Sequence, residues 1–214
     1  IVNESRTLVR QMITFYKDPD FSVEAINFKE KFAKRQIAWC YSLGQSLRND
    51  DAIKPIEKLL TENELNFVKN HKHIPNALLV LHAKDLYKAL QDKKITTYQQ
   101  VEIDNTLTRL CDAMGKCERI KNTVFPTTYS IYIRFTLCLF IILLPFGLIS
   151  LLSWFAVPLI TTIASAFFLI EKMAIHLQDP FENKPTDTPV TAIANTIEQN
   201  LIQMVNEYRN EFEN

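Results

Sequence analysis

The chain has 214 residues, with 24 Lys and Arg against 24 Asp and Glu, so it carries no net charge, and it holds only three glycines. A balanced charge argues against a nucleic-acid partner, which normally shows as a basic excess, and so little glycine leaves no room for glycine-rich phosphate loops. The cysteines Cys40, Cys111, Cys117 and Cys138 are widely spaced without a CxxC pair, so free thiols are expected rather than disulfides.

The chain opens on Ile1-Val2-Asn3-Glu4, directly in a helical pattern and with no initiator methionine or signal peptide. An internal start, with part of the native protein upstream, is therefore expected. Residues 1–17 read as a helix with Val2, Leu8, Met12 and Phe15 near one face. Lys17-Asp18-Pro19-Asp20 breaks it, because the residue before a proline avoids the α region. A longer helix follows over about 21–47. Val23, Ile26, Phe28, Phe32, Trp39, Cys40, Leu43 and Leu47 give it a broad apolar side, and Lys29, Lys31, Lys34 and Arg35 a basic one. The basic side reads as a solvated face; the sharper alternative is a weak electrostatic funnel for anions.

Asp51–Leu60 reads as a short helix interrupted by Pro55. Thr61 and Glu64 have capping-box spacing and start a helix that runs to about Lys69. His71-Lys72-His73 then leads into Ile74-Pro75 as a linker. Two histidines without a carboxylate or cysteine at ligand spacing do not make a metal site, and no metal is expected. Pro75 suits the first position of a helix over about 75–92, with Leu78, Leu79, Leu81, Leu86, Tyr87 and Leu90 apolar. Thr96 or Thr97 caps another over about 98–121, with Gln99 or Gln100 as reciprocal partner. Its apolar stripe is narrow: Val101, Leu107, Leu110, Met114 and Cys117. Around it lie Glu102, Asp104, Asn105, Thr106, Thr108 and Arg109, a pattern of helices that pack among others or face water in a bundle.

Phe135–Ile170 then runs for 36 residues without one Asp, Glu, Lys, Arg or His. One membrane pass needs about 20 apolar residues, so this length suits two short passes. Gly147 and Ser150–Trp154 divide the run, and Trp154 favours the membrane–water boundary. The expected form is a helical hairpin, about Tyr132–Ile149 and Phe155–Met173, with Pro145 and Pro158 inside the legs. The alternative is a buried hairpin in a large soluble core. After a polar connector, Gln178–Pro185, Thr188 caps a final helix with Pro189 in its first turn. Its stripe of Ile193, Ile197, Leu201, Met204, Val205 and Tyr208 is a packing face.

The expected organisation is an all-α membrane protein: a cytosolic helical region over 1–126, a transmembrane hairpin over 127–176, and a cytosolic connector with a C-terminal helix over 177–214. Lys116, Arg119, Lys121, Arg134 and Lys172 flank the hairpin and place both its ends on the cytoplasmic side. No GxSxG, HExxH, phosphate loop or Cys–His arrangement supports an enzyme, and no cofactor is implied.

Several segments resemble the bestrophin family, and its bacterial branch most. They are Ile1-Val2-Asn3-Glu4-Ser5-Arg6, Cys117-Glu118-Arg119-Ile120-Lys121-Asn122-Thr123 ahead of Pro126, Asp179-Pro180-Phe181-Glu182-Asn183, and Asn195-Thr196-Ile197-Glu198-Gln199-Asn200-Leu201. The resemblance covers essentially the whole chain. It implies an all-helical homopentameric ion channel with four membrane helices per protomer, of which the first two are absent here together with the hydrophobic neck. Members include calcium-activated chloride channels and, in bacteria, cation-preferring channels. The partners implied are membrane lipid, further copies of the chain and monovalent ions, in the inner (plasma) membrane.

By the same resemblance the cytosolic constriction maps to Phe125, with Thr123 beside it. The usual bacterial Thr-Pro-Ile-Pro is Thr123-Val124-Phe125-Pro126 here, an aromatic in place of isoleucine. Phe125 either rings the axis as a dehydrated barrier or packs into a protomer interface. Glu102, Asp104, Asn105 and Arg109 are vestibule candidates. The stretch that clasps calcium in eukaryotic members is Glu182-Asn183-Lys184-Pro185-Thr186-Asp187 here, with two separated acids and a lysine, too few for a calcium site. The competing function is a membrane-anchored helical scaffold without conduction.

Overall fold

The computed structural model describes residues 1–17, 22–123, 127–176, 180–182, 184 and 187–213. The described chain is helical throughout, with no strand among the described residues. It divides into two compact units: Ile1–Arg119 together with Pro189–Asn214, and Ile120–Thr188.

In the first unit, α2 (Val23–Arg48) is the central element, packed by α1 (Val2–Phe15), α4 (Ile74–Gln91) and α8 (Val190–Glu213). Ser22 starts α2 by accepting from the Ala25 amide at 3.2 Å, and Asn49 ends it in the left-handed region at φ 60°. Asparagine tolerates that region because its short polar side chain bonds locally. Phe32, Ile37, Trp39 and Leu43 of α2 meet Leu8 and Met12 of α1, Leu78 and Leu86 of α4, and Ile197 and Leu201 of α8 in a closed core, each 3% exposed or less. The α2–α8 crossing is close at Gly44, where an added Cβ would lie 2.9 Å from Cγ1 of Val190.

Two of the four basic residues expected on a solvated face lie inside. Arg35 is 1% and Lys29 2% exposed. Both are at helical spacing from Phe32 and Trp39, so they fall on the buried stripe. Burial of a charge requires a partner. Arg35 donates through Nε to Glu64 Oε1 at 2.7 Å and through Nη2 to Glu64 and to Asp85 Oδ2, the latter at 2.6 Å. This fork ties α2 to α3 (Glu62–Lys69) and to α4. The Lys29 ammonium sits 3.8 Å from the centroid of the Tyr208 ring, a cation–π contact with α8. Lys31 and Lys34 do face outward.

Burial alone would raise the Glu64 carboxyl. The Arg35 charge and the hydrogen bonds from Thr61 outweigh it and hold Glu64 below its usual 4.5. Beside Arg35, His82 is fully buried, with its ring edge on Phe32 at 4.3 Å. Burial first, and the Arg35 charge second, push its imidazole well below the ordinary 6.5. His82 is therefore held neutral.

The remaining elements refine the sequence expectations. Asp51–Leu60 is not a helix: only Lys54–Ile56 forms a 3₁₀ turn, with Pro55 in its first positions. Thr61 and Glu64 form the expected capping box, the Thr61 amide donating to Glu64 Oε2 at 3.0 Å. α5 spans Thr97–Asn122, and Thr96 with Gln99 is the pair that starts it. Its buried stripe includes Ile103 and Thr106, while Val101 is 49% exposed. Val23 and Tyr87 also face outward. At α8 the first helical carbonyl is that of Pro189, which accepts from Ile193, while the Thr188 amide turns back to the Pro180 carbonyl. Thr188 thus stands one residue ahead of the cap. All four cysteines are free thiols.

The second unit is a helical hairpin, α6 (Thr127–Leu152) and α7 (Ala156–His176), joined by the 3₁₀ turn Ser153–Phe155. The reversal is made by Ser153 at φ 47°; Gly147 lies within α6 with open space around it. Pro145 interrupts the ladder inside α6. Pro158 sits in the first turn of α7, where amides have no intrahelical acceptor to lose. Thr161 and Thr162 return their hydroxyls to the carbonyls of Val157 and Pro158, both at 2.9 Å, so neither leaves an unpaired donor. Phe140 meets Phe167 edge-on at 5.6 Å between the legs. Toward the other end Arg134 pairs with Glu171, Nε at 3.0 Å and Nη2 at 2.9 Å.

Two outcomes are expected. Gly44→Ala gains about 1 kcal/mol of helix propensity but overpacks Val190 at a cost of roughly 1–3 kcal/mol. A net loss should appear in thermal melts and should be relieved by adding Val190→Ala; a raised midpoint for Gly44→Ala alone would contradict the close crossing. For pH, both shifted groups are depressed in the folded state, so their stabilisation is present above the unfolded pKa and lost on acidification. Denaturant stability should fall below pH 6.5 as His82 is forced to charge, and again below 4.5 as Glu64 is protonated. His82→Leu should flatten the first limb and leave the second.

Candidate functional site

The segment from α5 to the hairpin carries the pore and vestibule candidates. On α5 the buried residues Ile103, Thr106, Leu107, Leu110 and Met114 recur at three- and four-residue steps and define an inner face. At 100° per residue, Glu102, Asn105 and Arg109 fall together on one flank of that face, and Asp104 on the opposite flank. All four are exposed. The helix therefore groups three of the four vestibule candidates and separates the fourth.

The flank bearing Arg109 is pinned to α1. Arg109 Nε donates to Glu4 Oε2 at 2.8 Å and its Nη2 to Thr106 Oγ1 at 2.9 Å. Thr106, fully buried, donates to Gln11 Oε1 at 2.9 Å. A guanidinium, a hydroxyl and an amide thus run in series from the surface into the core. Thr106 and Gln11 escaped sequence reasoning because a threonine in a polar stretch carries no sign that it is buried. The signal was positional: Thr106 lies three residues from Ile103 and four from Leu110.

At the far end of α5, Glu118 Oε1 accepts from His73 Nε2 at 2.8 Å, while His73 Nδ1 accepts the Asn76 amide at 3.1 Å and so caps α4. This fixes the His73 tautomer with its proton on Nε2. His71 bonds the Phe67 carbonyl at 2.7 Å. The two histidines thus have separate structural tasks, and no group of three metal-ligating side chains occurs among the described residues. Burial raises the neighbouring Cys117 thiol, which also works against nucleophilic use. Cys40, buried against Ser5, is pushed up to about 12. Thr123 follows α5 as an exposed residue. Phe125 lies outside the described residues.

The last recognisable segment, Asn195–Leu201, belongs to α8. Tyr41 of α2 reaches Asn195 Oδ1 at 2.6 Å and the Glu198 carboxylate. Burial first and Glu198 second raise the Tyr41 phenol, so it remains a proton donor. Arg48 adds a bond to Thr191 at 2.9 Å. These groups seat α8 on α2.

In the hairpin, two stretches are long and apolar enough to cross a membrane: Tyr129–Leu148, and Ser153–Ile175, which takes in the 3₁₀ turn. Almost nothing in them is buried by the chain itself: Phe135, Phe146, Trp154, Phe155 and Ile170 are each more than 60% exposed. Between the legs runs a groove of about 800 Å³ lined by Tyr132, Ile133, Leu137, Phe140 and Phe167 among others.

A family model described as Bacterial/Fungal Bestrophin protein matches residues 1–203. Among relatives, the voltage-dependent anion channel-forming protein alr2987 of Nostoc sp. is 29% identical over 206 residues, 94% of this chain and 65% of its own. The voltage-dependent anion channel-forming protein YneE of Escherichia coli is 28% identical over 203 residues, 95% of this chain and 64% of its own. The chain thus spans less than two thirds of the length of these relatives. Among solved structures, a bacterial bestrophin homolog from Klebsiella pneumoniae superposes with a TM-score of 0.86 at 28% identity, over 96% of this chain and 74% of that one.

The series from Arg109 to Gln11 makes a graded prediction. Thr106→Val leaves the Gln11 amide oxygen buried without its donor and should cost about 1–3 kcal/mol. Breaking the exposed Arg109–Glu4 pair should show a coupling of only about 0.2–1 kcal/mol in a double-mutant cycle. Equal costs would mean that the two contacts are not placed as described.

Proposed function

The chain belongs to the bacterial and fungal bestrophin family, and from that premise we propose that it is a subunit of a homopentameric channel for monovalent ions, chloride or small cations. One observation carries the reading most: two apolar helices expose their large side chains on a chain whose other unit is a well-packed bundle. Only lipid or further protein within a bilayer covers such a surface without cost. The relatives named as anion channel-forming proteins support conduction.

In this reading the hairpin spans the inner (plasma) membrane with both ends at the cytoplasmic face, and residues 1–126 and 177–214 lie in the cytoplasm. Lys116, Arg119, Lys121, Arg134 and Lys172 supply the positive-inside bias. Phe125, with Thr123 beside it, forms the cytosolic constriction, and five phenyl rings raise the barrier by dehydrating the ion. Glu102, Asn105 and the Arg109–Glu4 pair face the vestibule along one flank of α5, with Asp104 on the other. The protein acts by shape and field, without catalytic groups, cofactor or calcium.

The test is a planar-bilayer recording of the protein carrying this chain under sodium chloride gradients. A reversal potential that follows the chloride or the sodium gradient is expected. Phe125→Ala should change conductance or selectivity; unchanged currents would remove Phe125 from the pore. A monomeric or dimeric particle by light scattering, with no current, would instead favour the membrane-anchored scaffold.

A further inference from the structure

On the helical body, three lysines from two separate segments line one hollow. Lys31 and Lys34 stand one turn apart on the outer side of α2, and Lys58 lies in the segment between the 3₁₀ turn and α3. With Asn27, Glu30 and Thr61 they line a depression of about 260 Å³. The lysine side chains of α2 are 38% and 49% exposed, and Lys58 is exposed.

The local charge favours an anion. Lys34 is paired with Glu30 at 2.6 Å, the one carboxylate in the lining among the described residues. Lys31 lies 3.6 Å from Glu64 and 4.0 Å from Asp85, longer than the contacts by which Arg35 already holds both. Three cations against one carboxylate leave an excess of two positive charges in the lining. Counting the buried group beneath, where Arg35 and Lys31 balance Glu64 and Asp85, an excess of one remains.

The two walls are also held in register. One wall is α2, four residues from Arg35 at Lys31; the other ends in Thr61, whose amide is bonded to Glu64. The Arg35–Glu64 contact joins them from below. A ligand closing on this hollow does not have to order the backbone first, which is the usual entropic penalty of a charged surface site.

We propose that this hollow is a binding site for a compact multivalent anion of the phosphate class, held by Lys31, Lys34 and Lys58 as point charges. Two sources supply such a group, a soluble phosphorylated molecule and a lipid headgroup, and the soluble one is the occupant assigned here.

Calorimetry with inorganic pyrophosphate on the detergent-solubilised protein, at constant ionic strength set with chloride, tests it. Saturable binding is expected, weakened at least about tenfold by Lys34→Glu with Lys58→Glu and kept within roughly threefold by Lys34→Arg with Lys58→Arg. Unaltered circular dichroism and melting temperature without ligand establish that the reversed variant folds. Lys88→Glu, on the exposed side of α4, should leave binding unchanged. Absence of saturation, or equal binding by the reversed variant, overturns the proposal. In nanodiscs, binding that survives added phosphatidylglycerol confirms a soluble occupant; binding abolished by that lipid alone rejects it in favour of a headgroup.

Discussion

The fold depends on one buried cation. Arg35 lies inside the bundle at 1% exposure and uses its fork on Glu64 and Asp85, from two different helices. Removing a guanidinium from water costs several kcal/mol, which attraction and hydrogen bonds only roughly offset. Its value is therefore more in register than in net stability: only one placement of α3 and α4 on α2 gives the fork both carboxylates. Around it the apolar side chains pack conventionally, and His82 stays neutral because burial first and the Arg35 charge second disfavour its imidazolium.

This interaction was also the hardest to see in the sequence. Helix existence was legible almost everywhere, because apolar spacing, the Thr61–Glu64 pair and Pro75 speak locally. The hairpin was legible from the absence of charge over Phe135–Ile170. Arg35 and Lys29 read as solvated because a charged residue type outweighs its position when partners are unknown. Glu64 and Asp85 lie far along the chain from Arg35, and nothing local announces that they converge. The turn of the hairpin was legible too: Ser150–Trp154 contains Ser153, which adopts the left-handed backbone, while Gly147, the other divider of the run, lies inside α6.

For the channel candidates, the same division holds. Residue type suggested Glu102, Asp104, Asn105 and Arg109 as a polar wall. Helical geometry groups three of them and sends Asp104 elsewhere, and Arg109 is joined to Glu4 within the same chain. That flank of the helix therefore presents an ion pair, whose field is softer than that of a lone guanidinium. Among the described residues the chain offers packing faces and paired charges.

The body of Ile1–Arg119 is completed by Pro189–Asn214, and the hairpin unit lies between these two segments in sequence. On the ribosome this dictates an order. Trp39, Ile37 and Leu8 emerge long before Ile197 and Leu201 exist to cover them, a delay of about 8–40 seconds at roughly 5–20 residues per second. The nascent bundle must wait, with an open seam along α1 and α2, while the most apolar stretch of the polypeptide is made. Completion of the bundle is thereby tied to synthesis of the hairpin, and a chain stalled within it leaves the seam along α1 and α2 uncovered.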